Sequence, residues 1–171
     1  MKYFSRFTII TTLLTYILIF VGGLVRVSGA GMGCPDWPKC FGRWIPPTHL
    51  DQLPAHIDPA QFNIVLAWIE YSNRLVGVII GLMVTATLIL AYRYYKNEKK
   101  VLTPIFLSFI LVGLVGWQGS QVVGTVLNPV TVSLHMVLAL FAISFLIIGT
   151  QNAYYLTYPT DEKDSYYPCK M

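Results

Sequence analysis

In the string WIEYSNRLVG, Glu70, Asn73, Arg74 and Gly77 stand at positions i, i+3, i+4 and i+7, so on a helix a carboxylate, an amide and a guanidinium share one face. Gln118 and Gln121 lie in GWQGSQVVGTVL and His135 in VSLHMVLAL, each set in apolar sequence. Cys34 and Cys40 stand in GMGCPDWPKCFGRWIPP, with five residues between them. A buried neutral imidazole is a common axial ligand for haem iron, and Arg or amide groups commonly hold the propionates, so haem is the cofactor this set suggests. Zinc fits less well, because His49, His56 and His135 are widely spaced and no Cys and His cluster offers a tetrahedral site. The sequence carries no Gly-rich phosphate cradle and no nucleophile triad.

Long apolar segments must position these groups. The chain has 171 residues, 55% of them hydrophobic and 12% charged, and its mean hydropathy of +0.59 is above what a soluble domain of this length needs for its core. A bilayer core about 30 Å thick takes roughly 20 apolar residues per helix. Four stretches meet that length: Phe7–Val25, Ile64–Tyr92, Val101–Val126 and Val130–Gln151. The expected fold class is therefore an all-α integral membrane protein, a four-transmembrane-helix bundle, which excludes a soluble enzyme with its own folded domain. The alternating pattern of an outer-membrane barrel is missing. The first span is read as a retained helix, because its apolar run exceeds a signal peptide's and no clear small-x-small cleavage site follows it.

The formal charge of +4, from 12 Lys and Arg against 8 Asp and Glu, reports orientation rather than a nucleic-acid partner. Lys2 and Arg6 precede the first span, and Arg93, Lys96, Lys99 and Lys100 fill the link between the second and third. Both ends are thus expected in the cytoplasm, with the loop of about residues 26–63 and the Leu127–Pro129 turn facing outward. The expected organisation is a transmembrane haem-binding domain over residues 1–152 and a polar cytoplasmic tail over 153–171.

Ionisable groups cost several kcal/mol inside a bilayer unless paired or set in a cavity, so their depth is informative. Glu70 and Arg74 near the outer end of the second span, Gln118 and Gln121 near that of the third, and His135 near that of the fourth all fall in one layer. Each has a structural alternative: an interfacial ion pair, glutamines as interhelical links, an interior histidine held by a hydrogen bond. Coincidence in depth favours a polar pocket in the outer leaflet, roofed by the long loop. Gly113, Gly116, Ser120 and Gly124 leave one face of the third span nearly bare, for close helix packing or for a flat cofactor. On the oxidising side Cys34 and Cys40 tend toward a disulfide, either a loop staple or a redox pair, whereas Cys169 in the tail stays free. Trp37 and Trp44 suit the headgroup level.

The strings GGLVRVSGAGMGCPDWPKCFGRWIPP, WIEYSNRLVG, GWQGSQVVGTVL and VSLHMVLAL closely resemble the N-terminal half of haem A synthases, over about residues 10 to 150. That resemblance implies an oxidoreductase of the inner membrane, built from two similar four-helix halves, that oxidises a ring methyl of haem O to a formyl group. It implies haem B as cofactor, haem O as substrate, or both, with haem O synthase and terminal oxidase assembly as neighbours. By motif, Glu70 matches the catalytic carboxylate of an E-x-x-H-R element, Arg74 its arginine, and His135 the second haem-ligand histidine. Cys34 and Cys40 match an outer-loop cysteine pair, and Asn73, Arg74, Gln118 and Gln121 are expected around the cofactor.

This sequence departs from the family pattern in two ways. Asn73 stands where the first histidine is expected, which leaves His135 as the ligand in this half. Only four spans are present where eight are expected, so a homodimer or a second-half polypeptide would complete the arrangement. Two other readings stay open. One is a haem-binding or oxidase-assembly subunit without catalysis; the other is a quinone-coupled thiol oxidase, which needs two communicating cysteine pairs where this chain has one.

Overall fold

The computed structural model describes residues 2–55, 57–59, 62–125 and 127–159, and four helices account for most of them. They are α1 (Lys2–Val27), α2 (Ile64–Tyr95), α3 (Lys99–Gly124) and α4 (Pro129–Thr157). All four are long and apolar enough to cross a membrane. The described residues contain no strand, only an isolated bridge between Cys40 and Arg43.

Local chemistry sets the helix starts. Asn63 accepts from the backbone N–H groups of Val65 and Leu66, and Asn128 accepts from that of Val130, with Pro129 filling the first helical position. Each helix runs past the apolar stretch read from the sequence, because polar and aromatic residues carry it through the interfacial region: Lys2 to Arg6, Arg93 to Tyr95, Lys99 and Lys100, and Asn152 to Thr157. At the third span Val126 lies outside the described residues and the helix ends at Gly124. Residues 160–171, with Cys169, also lie outside them, while residues 153–157 of the expected tail continue α4.

The helices run alternately up and down, each packed on its chain neighbour, and α1 closes the ring on α4. At the end that carries both termini the packing is tight. The Phe4 and Tyr95 rings pack at a tilt with centroids 5.0 Å apart, within a cluster of Ala91, Val101, Ile105 and Ala153. The Tyr95 hydroxyl bonds that of Thr157 at 3.1 Å, and Asn152 Nδ2 donates to Lys100 O at 2.7 Å. One layer further in, Ile80, Val84 and Leu146 pack with Leu18, Phe109 and Val112. Ser108 donates to Ala142 O at 2.8 Å, and a Cβ added to Gly149 would lie 2.5 Å from Ile105 Cγ1, so α3 and α4 touch backbone to side chain there.

Toward the other end the bundle opens. Residues 16–24, 71–79, 109–117 and 129–138 include no buried side chain. A Cβ at Gly22, Gly113 or Gly116 would meet nothing within 4 Å. Above this loosely filled layer the loop folds into a second cluster of Cys34, Cys40, Phe41 and Ala67, flanked by Leu53, Ile57, Phe62 and Tyr71.

These contrasts make the packing testable. Gly149→Val places branched carbon where only hydrogen fits and should destabilise the bundle by about 1–3 kcal/mol. Gly113→Ala should be neutral or slightly stabilising, because it restricts the unfolded chain without meeting a neighbour. Thermal unfolding in detergent, followed by circular dichroism, compares the two; equal melting temperatures would refute the tight α3–α4 contact.

Candidate functional site

Glu70 lies two turns into α2 with 5% of its surface exposed. A buried carboxylate at that depth needs partners, and the loop supplies them. Cys34 N–H donates to Glu70 Oε2 at 2.8 Å, and Arg74, one turn further along α2, donates from Nη2 to Glu70 Oε1. The same guanidinium grips three loop carbonyls: Asp36 O at 2.7 Å, Lys39 O at 3.1 Å and Cys34 O at 3.3 Å. Arg74 suits this task because its planar fork presents several donors in fixed directions.

Gly33 makes the approach possible. A Cβ there would collide with the Leu66 carbonyl and lie 2.7 Å from Ala67 N, so only glycine lets the loop rest directly on the α2 backbone. Within the loop, Asp36 Oδ1 accepts from Phe41 N at 2.6 Å and Oδ2 from Gly42 N at 2.8 Å. Those N–H groups converge because Phe41 and Gly42 both have positive φ, 55° and 74°, a concave backbone that favours an anion. A disulfide joins Cys34 to Cys40, and both sulfur-bearing residues are shielded, at 1% and 0% exposure. Gly33 and Asp36 were not singled out in the sequence, although a glycine just before the first cysteine and an aspartate between two prolines and a tryptophan are turn signals. Between this folded loop and the end of α3 lies a cavity of about 440 Å³ lined in part by Cys34, Phe41, Val123 and Leu127.

The remaining candidates occupy the open layer below. His135 on α4 lies against α3 at Gly119, where an added Cβ would be 3.6 Å from its Cε1, and its Nδ1 is buried with no hydrogen-bond partner among the described residues. Gln118, next to Gly119, is buried. Gln121 is exposed and donates to Ser120 Oγ at 3.3 Å. Asn73 turns toward α1 and lines a groove between α1 and α2; its Oδ1 is also buried without a partner among the described residues. The structure thus joins Glu70, Arg74, Cys34 and Cys40 in one clamp. His135 sits on the α3–α4 side, Gln118 is buried on α3, and Asn73 faces the α1–α2 side. His49 starts a short turn at Leu50–Gln52 in the loop, and His56 lies outside the described residues.

This arrangement suits a haem. An orphaned imidazole nitrogen in an apolar bundle lacks a partner that an iron would supply, and no side chain stands on α3 at Gly119, where the ring approaches. The guanidinium and the amides belong to the groups that hold propionates, although Arg74 is already engaged by the loop.

A family model described as cytochrome oxidase assembly protein (COX15-CtaA) matches residues 5–166. Among curated proteins, a heme A synthase of Shewanella oneidensis is 32% identical over 147 residues, covering 81% of this chain and 42% of the relative. Heme A synthases of Bacillus cereus and Bacillus mycoides are each 30% identical over 145 residues, covering 82% of this chain and 42% of theirs. The chain therefore spans about half the length of the curated relatives it matches. No solved structure matches.

The clamp makes a prediction of its own. Arg74→Ala leaves Glu70 buried without its counter-charge, a change that costs about 3–5 kcal/mol for a fully buried pair and less here, where Arg74 is 16% exposed. The loop should loosen, and trypsin should cut after Lys39 and Arg43 much faster than in the unmodified protein, as read on reducing gels. Unchanged digestion would show that the loop stays docked without Arg74.

Proposed function

The chain belongs to the COX15-CtaA family of cytochrome oxidase assembly proteins, and on that premise we propose that it acts in haem A synthesis, as a catalytic half that oxidises a ring methyl of haem O to a formyl group. The observation that carries this reading is the buried, unpartnered Nδ1 of His135 in the loosely filled layer of the bundle, in a chain that also buries a carboxylate held by two fixed donors. In this reading His135 holds the haem iron and Gln118 lies beside the imidazole. Gln121, near the surface, meets a propionate. The bound haem supplies the macrocycle whose methyl group is changed.

Glu70 cannot drift, because Cys34 N–H and Arg74 fix its two oxygens. A fixed carboxylate in a water-poor layer stabilises positive charge that develops on a nearby carbon, and can accept a proton released there. Arg74 keeps the carboxylate oriented. The Cys34–Cys40 bridge keeps the loop, and hence the Cys34 N–H, in place. The reading extends to the bilayer: an inner-membrane protein, loop outward, termini and tail in the cytoplasm, with haem O synthase and terminal oxidase assembly as neighbours. Pairing with a second four-helix half, from another copy or elsewhere, belongs to the same reading.

One observation favours a second reading, in which the chain carries haem without changing it. Asn73 has an amide where its relatives' pattern calls for an imidazole, and an amide is no ordinary ligand for haem iron.

Chromatography of haems extracted from the purified protein separates the two, after co-expression with a haem O synthase in a host that makes no haem A. Haem A or a hydroxylated intermediate is the expected result. Haem B or haem O alone would establish the carrier reading, and no haem at all would overturn the His135 pocket. Glu70→Gln should keep the bound haem yet lose conversion; intact turnover in that variant would remove Glu70 from the chemistry. Asn73→His should leave the reduced absorption spectrum as it is, because residue 73 turns to the α1–α2 side; a shift toward the spectrum of a two-imidazole haem would instead bring residue 73 to the iron.

A further inference from the structure

Along one side of the bundle, α1 and α2 diverge around an open groove of about 650 Å³. Leu14, Leu18 and Val25 form one wall, and Val65, Asn73 and Met83 stand along the other. The outermost of those α2 positions stand 18 residues apart, roughly 27 Å at 1.5 Å per residue, so the groove is long and narrow rather than flat. A porphyrin ring with two charged propionates does not suit it; an extended hydrocarbon chain does. Its lining is apolar apart from Ser72, Asn73 and the indole of Trp68.

Within that apolar wall the buried Oδ1 of Asn73 finds no donor among the described residues. An acceptor stripped of water at membrane depth is costly unless a donor arrives with whatever fills the space. The matching ligand is therefore a hydrocarbon chain that begins with a hydroxyl. Asn73 stands one turn along α2 from Glu70 and next to Arg74, so such a chain would lead away from the carboxylate of the site described above.

Haem O has that shape: it differs from haem B by an isoprenoid chain whose first carbon bears a hydroxyl. We propose that the α1–α2 groove holds the isoprenoid chain of the haem substrate, with Asn73 Oδ1 accepting a hydrogen bond from the hydroxyl at its root; this rests on the function proposed above. The groove then distinguishes haem O from haem B by its chain, while His135 and the clamp deal with the ring that both share. Asn73 becomes a specificity residue instead of an iron ligand, which accounts for an amide at this position.

Binding rather than turnover tests this. The full chain in lipid nanodiscs is titrated with haem O and with haem B, and the change in haem absorbance gives each affinity. Ile17→Phe and Val76→Phe put bulk into the groove from opposite walls at positions that are 46% and 44% exposed, and haem B binding in each reports that the fold is retained. The unmodified chain should prefer haem O by about tenfold or more, and both filled variants should lose most of that preference with haem B affinity unchanged. Asn73→Ala should lose part of it. Equal affinity for the two haems in the unmodified chain, or filled variants that weaken both alike, would overturn the groove assignment while leaving the haem site intact. Binding of neither haem would overturn the function itself, and the groove assignment with it.

Discussion

The structure depends on one electrostatic constraint: a carboxylate buried near the end of a membrane helix must be matched on every side. Glu70 meets that demand with Arg74 from its own helix and with a backbone N–H from a loop 36 residues earlier in the chain. Because Arg74 also binds three loop carbonyls, the pair both neutralises a charge and fixes where the loop sits. The rest of the loop follows from that attachment. Gly33 has to be a glycine so that the backbones can touch, Asp36 has to close the turn at Phe41 and Gly42, and the disulfide joins two points already held close.

The division of the bundle into a tight half and an open half is the second consequence of helix chemistry. Near the termini, small and hydroxyl-bearing residues let the helices approach: Thr12 bonds Thr150 at 3.0 Å, and Gly149 accepts Ile105 against its backbone. This half sets the helix spacing. In the loop half the helices leave a layer without buried side chains, in which an imidazole nitrogen and an amide oxygen are buried without partners among the described residues. The clamp closes the far end, so the open layer lies between two fixed ends. On the proposed reading, a loosely filled layer bounded in this way takes up a large rigid ligand with little reorganisation.

Much of this was legible in the residues, and the limits have physical reasons. Uninterrupted apolar runs fixed four helices to within a few residues, because a bilayer admits few other solutions. The i, i+4 relation of Glu70 and Arg74 gave their shared face, and both groups point to the loop. What periodicity does not give is the rotation of one helix about its axis relative to another. Depth alone put Asn73, Gln121 and His135 in a common layer, whereas the helix rotations send Asn73 toward α1 and His135 toward α3, and leave Gln121 exposed. Gly33 escaped notice for a related reason: its role depends on a contact with Leu66 and Ala67, more than thirty residues away, that no local pattern encodes.

The separation of Asn73 from His135 bears on what one chain of this kind can do. Two imidazoles facing each other across a bundle would grip iron from both sides and make a closed, electron-carrying centre. On the proposed reading the amide on α2 turns to the α1 groove, and the α4 imidazole acts from one side only. On the proposed reading, a haem held that way has one face less encumbered, is released more readily, and owes more of its orientation to the loop clamp and to its own substituents. Those are the properties of a site through which a haem passes as substrate, whereas a permanently resident haem would gain from the second ligand. On that reading an amide at position 73 is compatible with turnover, provided that the groove and Glu70 keep the ring in register.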